Sequence, residues 1–196
     1  MKKLIPFAII IIILIGIFKW GVGLNNTMVE KQETAKTQWA NVESAYQRRA
    51  DLIPNLVNTV KGYASHEQET LEGVIEARAN ATKTTIDPTN VTPEQMAAFQ
   101  ESQNSLTGAL SKLMVVVEKY PDLKANQNFL ELQSQLEGTE NRINVERNRY
   151  NELAKDYNIY VRKFPASIIA NILKFDPLVL FQGAEGSDKA PTVDFN

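Results

Sequence analysis

The chain has 196 residues, 43% of them apolar and 22% charged, which suits one domain with a buried core and excludes wholesale disorder. It has no cysteine and one histidine, His66, which removes disulfide frameworks, iron–sulfur clusters, thiol nucleophiles and multi-histidine metal sites. Its net charge of -2 hides an asymmetry: residues 1–24 hold three lysines and no acid, and neither part has the basic excess of a nucleic-acid surface.

Leu4–Phe18 is an unbroken apolar run rich in Ile, and with Lys19 at its edge the run continues through Leu24. As a helix it rises about 32 Å, against roughly 30 Å of hydrocarbon in a bilayer. Lys19 can snorkel and Trp20 suits the headgroup region, so residues 1–24 read as a single-pass anchor carried by residues such as Leu4, Ile10, Phe18 and Trp20. A cleaved signal peptide is the alternative, but the run is long for one and Ala-x-Ala is absent. Lys2 and Lys3 before the span favour a cytoplasmic N-terminus and a domain outside.

From Asn25 onward the chain reads as all-α, an antiparallel, coiled-coil-like helical bundle over 25–175. The first helix spans Asn25–Lys83, with Met28, Ala35, Trp39, Val42, Tyr46, Ile53, Leu56, Val60, Tyr63 and Val74 on one seam. The register holds from Trp39 to Tyr63, so Pro54 is expected to kink this helix; a hairpin split there is the alternative. Thr84–Thr92 is the expected first loop. Thr92-Pro93-Glu94-Gln95 is a capping box that opens a second helix to Lys119. A third follows Asn126, with a seam from Phe129 to Phe164 that only Thr139 and Glu146 interrupt. At about 88 Å the first helix outreaches the second, at about 40 Å. Its near half therefore becomes a stalk whose stripe, Trp39, Val42 and Tyr46, needs covering by the third helix and by a second subunit. Ala166–Phe175 is a short helix with Ile168, Ile169, Ile172 and Leu173 on one face, read as a cap on the bundle or else as an interfacial or partner-binding helix. Residues 176–196 read as a mobile tail, with Val193 and Phe195 as a small docking cluster.

Three runs are distinctive: Arg48-Arg49-Ala50-Asp51-Leu52-Ile53-Pro54-Asn55-Leu56-Val57, Val115 to Asn126, and Phe129 to Ile143. On these the whole chain, anchor included, resembles the LemA family of bacterial membrane-anchored proteins. The resemblance implies one N-terminal transmembrane helix, a helical bundle and residence in the bacterial cytoplasmic (inner) membrane. It implies no reaction; members are linked to envelope and membrane biogenesis. Older descriptions of the family put the bundle in the cytoplasm, opposite to the charge count, so orientation stays open.

The polar residues of these runs, Arg48, Arg49, Asp51, Glu118, Glu137, Glu140 and Arg142, read as a cluster that sets bundle register or binds a partner. A di-metal site needs Glu-x-x-His on two helices, and the residue three before His66 is Tyr63, so no metal, cofactor or catalytic set is expected. The functional expectation is a non-catalytic, membrane-anchored scaffold that forms homo-oligomers and organises envelope proteins or the membrane, without nucleic acid. The rival is an adaptor or regulatory subunit of a membrane enzyme, such as an envelope quality-control protease. An enzyme using carboxylates of the polar cluster is the third reading.

Overall fold

The structure, a computed structural model, describes residues 5–183. From Ile5 to Lys61 the chain is one helix, α1, of 57 residues and about 86 Å. The apolar segment and the first helix of the bundle are therefore one piece, and the boundary at residue 24 is a change of surroundings, not of backbone. Ile10, Phe18 and Trp20 stand exposed around the apolar end, where one helix is long and apolar enough to cross a membrane; Leu4 lies outside the described residues.

The chain then turns back at Gly62–Glu67, not at Pro54, and α2 (Gln68–Lys83) descends beside α1. The expectation of one helix to Lys83 is thus corrected, and Thr84–Thr92 is the second interruption. Val60 and Val74 are both buried, two heptads apart, so the apolar register passes across the turn. Tyr63 leaves the seam and stands exposed in the turn, where its hydroxyl accepts from the Asn126 amide at 2.9 Å.

Pro54 has a different consequence. It has no N–H to give the carbonyl of Ala50, one turn earlier. Arg78 on α2 fills that place, its Nε donating to the Ala50 carbonyl at 2.7 Å. The helix-internal proline thus becomes an attachment point for the returning helix. Arg78→Ala is expected to destabilise by about 1–3 kcal/mol, because Ala50 is buried and its carbonyl loses its partner. In a Pro54→Ala background the helix supplies its own N–H, and the same change should cost less by about 1 kcal/mol. Denaturant unfolding of the four chains in the cycle tests this, and additive effects would refute it.

Asp87 orders the loop that follows α2. Its carboxylate accepts from the Thr89 hydroxyl at 2.7 Å and from the Asn90 amide at 2.9 Å, bonds that hold its pKa below the usual value. Helix α3 (Pro93–Val117) opens on the expected capping box, with Thr92 and Gln95 bonded reciprocally at 3.2 and 2.9 Å. After a single turn, α4 (Pro121–Lys124), Asn126 caps α5 (Gln127–Arg162) by accepting from the Phe129 N–H at 3.0 Å. Helix α5 runs back along α1 for about 54 Å, and α6 (Ala166–Leu173), the last helix among the described residues, lies beside the apolar end of α1.

Two apolar cores result. The distal one joins α1, α2, α3, α4 and α5 around Ile53, Leu56, Val60, Leu106, Leu113 and Phe129. The proximal one, nearer the apolar segment, is built around Trp39, Phe99, Tyr150, Tyr157 and Phe181. Trp39, Val42 and Tyr46 are all buried there, within a single chain. The expectation that this stripe awaits a second subunit is therefore corrected: α5 covers it, together with Phe99 of α3, the loop at Ile86 and a C-terminal segment.

That segment is Asp176–Gly183, an extended strap laid back along α5, where a mobile tail was expected. Leu178 and Phe181 are buried, and the Phe181 ring stacks on Trp39 at 5.3 Å. The Val193 and Phe195 cluster lies outside the described residues. Helix α6 also departs from the cap reading. It packs on α1 and α5 through Ala166, Ile169 and Ala170, while Ile168, Ile172 and Leu173 face outward with Phe164.

Candidate functional site

Arg49 sits on α1 between the two cores, after Tyr46 of the proximal one and before Leu52 of the distal one. It is 2% exposed. Its Nη1 donates to Glu140 Oε2 on α5 at 2.7 Å and to Thr107 Oγ1 on α3 at 3.1 Å; its Nη2 donates to Gln103 Oε1 at 2.7 Å. Gln103 in turn donates to the Ala81 carbonyl at 2.9 Å. Ala81 lies in the last turn of α2, where carbonyls have no partner within the helix. One layer thus ties four helices together through hydrogen bonds that only one axial alignment satisfies. The guanidinium also lies 5.3 Å from the Tyr46 ring centre, and its Nε has no partner.

A second polar layer lies nearer the apolar end. Gln38 donates to Glu146 Oε2 at 2.6 Å, and Arg142 approaches Glu146 Oε1 at 3.4 Å. Glu146 and Thr139, the two positions that interrupt the seam of α5, are both buried. Their polarity therefore belongs to the interior.

Of the seven polar residues singled out by sequence, only Arg49 and Glu140 meet. Arg48 and Arg142 line a shallow groove of about 330 Å³ with Ser44, Gln135 and Gly138. Asp51 accepts from Gln47 at 2.7 Å, Glu137 from Gln133 at 3.0 Å, and Glu118 pairs with Lys124. These three make local surface contacts, so the single seven-residue cluster is corrected to a buried pair, a groove and scattered charges. Among the described residues no three His, Cys, Asp or Glu side chains converge as a metal set would.

Sequence reasoning passed over the strap and the groups that hold it. Tyr150-Asn151 and Tyr157-Asn158 form a dipeptide repeated at seven residues, two turns apart on one face of α5. The Tyr150 hydroxyl donates to the Val179 carbonyl at 3.0 Å, and that of Tyr157 to the Asp176 carbonyl at 3.1 Å. Asn151 bonds both backbone groups of Phe181, at 3.0 and 2.9 Å, and Asn158 both those of Leu178, at 2.8 and 2.7 Å. Gln100 on α3 does the same for Gln182, at 3.4 and 3.1 Å. The amides act as a discontinuous strand edge, satisfying backbone that would otherwise be stranded against a helix. The repeated Tyr-Asn was the available signal.

Burial raises the pKa of both tyrosines, that of Tyr157 to about 12 with help from the charge of Asp176. An unfolded tyrosine ionises near pH 10. A raised folded value favours the protonated form, so this contribution to stability is full below about pH 10 and lost as pH rises toward the folded values. Urea midpoints measured from pH 8 to pH 11 should fall, and Tyr157→Phe should flatten the fall above about pH 10. An unchanged slope in the variant would exclude Tyr157 as its source.

The family model for the LemA family matches residues 38–195, from Gln38 in α1 to beyond the strap. The chain is 27% identical to Protein LemA of Metamycoplasma hominis over 192 residues, covering 94% of this chain and 84% of that protein. It is also 27% identical over 180 residues to Magnetosome protein MamQ 2 of Paramagnetospirillum magneticum, and 24% identical to Magnetosome protein MamQ of Magnetospirillum gryphiswaldense. In both cases 83% of this chain is covered, against 66% of the relative, just under two thirds of its length. The match takes in both polar layers, the Pro54 attachment and the Tyr-Asn repeat, and on it the chain belongs to the LemA family.

Proposed function

We propose that the protein is a non-catalytic, membrane-anchored scaffold that holds a rigid helical bundle at a set height over the bilayer, self-associates, and organises envelope proteins or the membrane itself. The observation that carries this is the continuity of α1 from the apolar segment into both cores, with no linker to let the bundle swing. The polar interior supports the non-catalytic reading, since its buried groups bond to one another across helices. So do the relatives, whose names, LemA and MamQ, state no reaction. Because Trp39, Val42 and Tyr46 are covered within one chain, association uses another surface. The location proposed is the bacterial inner membrane, with the bundle on the extracytoplasmic side.

The mass of the full chain in nanodiscs tests self-association. Species larger than a monomer support it, and a monomer at all concentrations ends it. The adaptor reading then gains, and the Arg48–Arg142 groove is the surface that favours it. Arg48→Ala should then reduce crosslinking of the full chain to its neighbours in native membranes. Sidedness is read by labelling Ile75→Cys, an exposed distal position in a chain with no other cysteine, with an impermeant maleimide on intact spheroplasts.

A further inference from the structure

Helix α6 is built the wrong way round for a cap in water. Ala166 and Ala170 face the bundle, with Ile169 half-buried beside them, and its other large residues face out. Phe164 is 81% exposed, Ile172 72%, Ile168 53% and Leu173 51%. Ile168 and Ile172 stand four apart on α6, which aligns them on one side, and Phe164 is exposed in the turn just before the helix. A helix with small residues inward and a continuous large apolar side outward has a second solvent to satisfy, and that solvent is not water.

Its position says which. Ile169 reaches α1 at Gly21, where its Cδ1 lies 3.5 Å from the place a Cβ would occupy. Gly21 lies within about a turn of the end of a hydrocarbon core that begins near Leu4. The outward side of α6 therefore continues the lipid-facing surface of α1 at the level where the membrane ends. The exposed cations that flank α6 in the chain, Arg162, Lys163 and Lys174, match the phosphates of lipid headgroups.

We infer that α6 lies in the boundary layer of the same bilayer that holds the N-terminal segment, with Phe164, Ile168, Ile172 and Leu173 among the upper acyl chains. The membrane thus grips the chain twice, at α1 and at α6. The inference rests on the membrane-anchor reading, and the test separates the two.

A nitroxide is attached to Ile172→Cys, Ile12→Cys or Ile75→Cys, one per chain, in full-length protein reconstituted into phosphatidylcholine nanodiscs with a minority of phosphatidylglycerol. Collision with oxygen, which favours lipid, is compared with collision with a water-soluble nickel chelate. The expected result is a lipid signature at Ile12 and Ile172, shallower at Ile172, and a water signature at Ile75. Lipid at Ile12 with water at Ile172 overturns the inference and leaves the anchor standing. Water at Ile12 overturns both. A probe at Ile172 shielded from both reagents means that a protein surface, such as a second copy, covers α6, and this also overturns the inference. A second readout is the double variant Ile168→Ser/Ile172→Ser, which should lose the shallow lipid signal of a probe at Leu173→Cys while the Ile12 probe is unchanged.

Discussion

Replacing Asn151 and Asn158 together by alanine should release the C-terminal strap and lower the stability of the bundle by about 4 kcal/mol. Each asparagine supplies two hydrogen bonds to strap backbone, and a typical net value is about 1 kcal/mol per bond. The loss does not end there. Leu178 and Phe181 are anchored by those bonds, and Phe181 closes Trp39 on one side while meeting the Tyr150 ring edge-on at 5.7 Å. Arg147 lies over the Phe181 ring at 4.6 Å and loses that contact as well. Urea unfolding followed by helical circular dichroism gives the energy. Trp39 emission, read in a Trp20→Phe background, gives the site of the change and should shift to the red. Unchanged stability with unshifted emission would mean that packing and the bonds from Tyr150, Tyr157 and Gln100 hold the strap without the asparagines. Each single variant should show about half the effect if the two clamps act independently, and less if the strap peels as a unit.

Arg49→Ala is expected to destabilise by about 3 kcal/mol, the range found when one partner of a buried charge pair is removed. The change strips Gln103 and Thr107 of a donor and opens a space beside Tyr46. Glu140 keeps contact with water, its side chain 41% exposed, which limits the penalty on the carboxylate. The reverse removal, Glu140→Ala, leaves the buried guanidinium with only neutral partners and should cost a comparable amount. Arg49→Met keeps the bulk and drops the charge, so it should recover part of the loss. If the layer serves alignment, Arg49→Met should also broaden the amide spectra of α3 and α5 while the chain stays helical. A sharp spectrum at full stability would show that the two apolar cores align these helices unaided.

Much of the fold could be read from spacing because its signals are local. The Thr92–Gln95 box and the Asn126 cap act within four residues, and both helix starts fall where these residues put them. The long seam of α5 was legible because its partner, α1, runs beside it for most of its length. The turn at Gly62–Glu67 was hidden for a physical reason. Helices on either side of a tight turn both present apolar residues to the same core, so the pattern continues though the backbone does not. The strap was hidden because its hydrogen bonds come from side chains of a distant helix, and a short run, Leu178-Val179-Leu180-Phe181, has no period of its own. Of the polar residues, type identified Arg49 and Glu140 as important, but only the packing distinguished them from Asp51, Glu118 and Glu137 on the surface.

The unbroken passage of α1 out of its apolar segment makes the bundle a pointer with a bearing. Successive residues of a helix turn by about 100°, so the side of the span that faces a neighbour in the membrane dictates the compass direction in which the Arg48–Arg142 groove looks. One residue inserted just before Gly21 would swing the groove through about 100° relative to the span, while seven would return it to within about 20° of its first bearing. In the proposed scaffold, azimuth as much as height is what the chain would pass from the bilayer to a neighbouring protein.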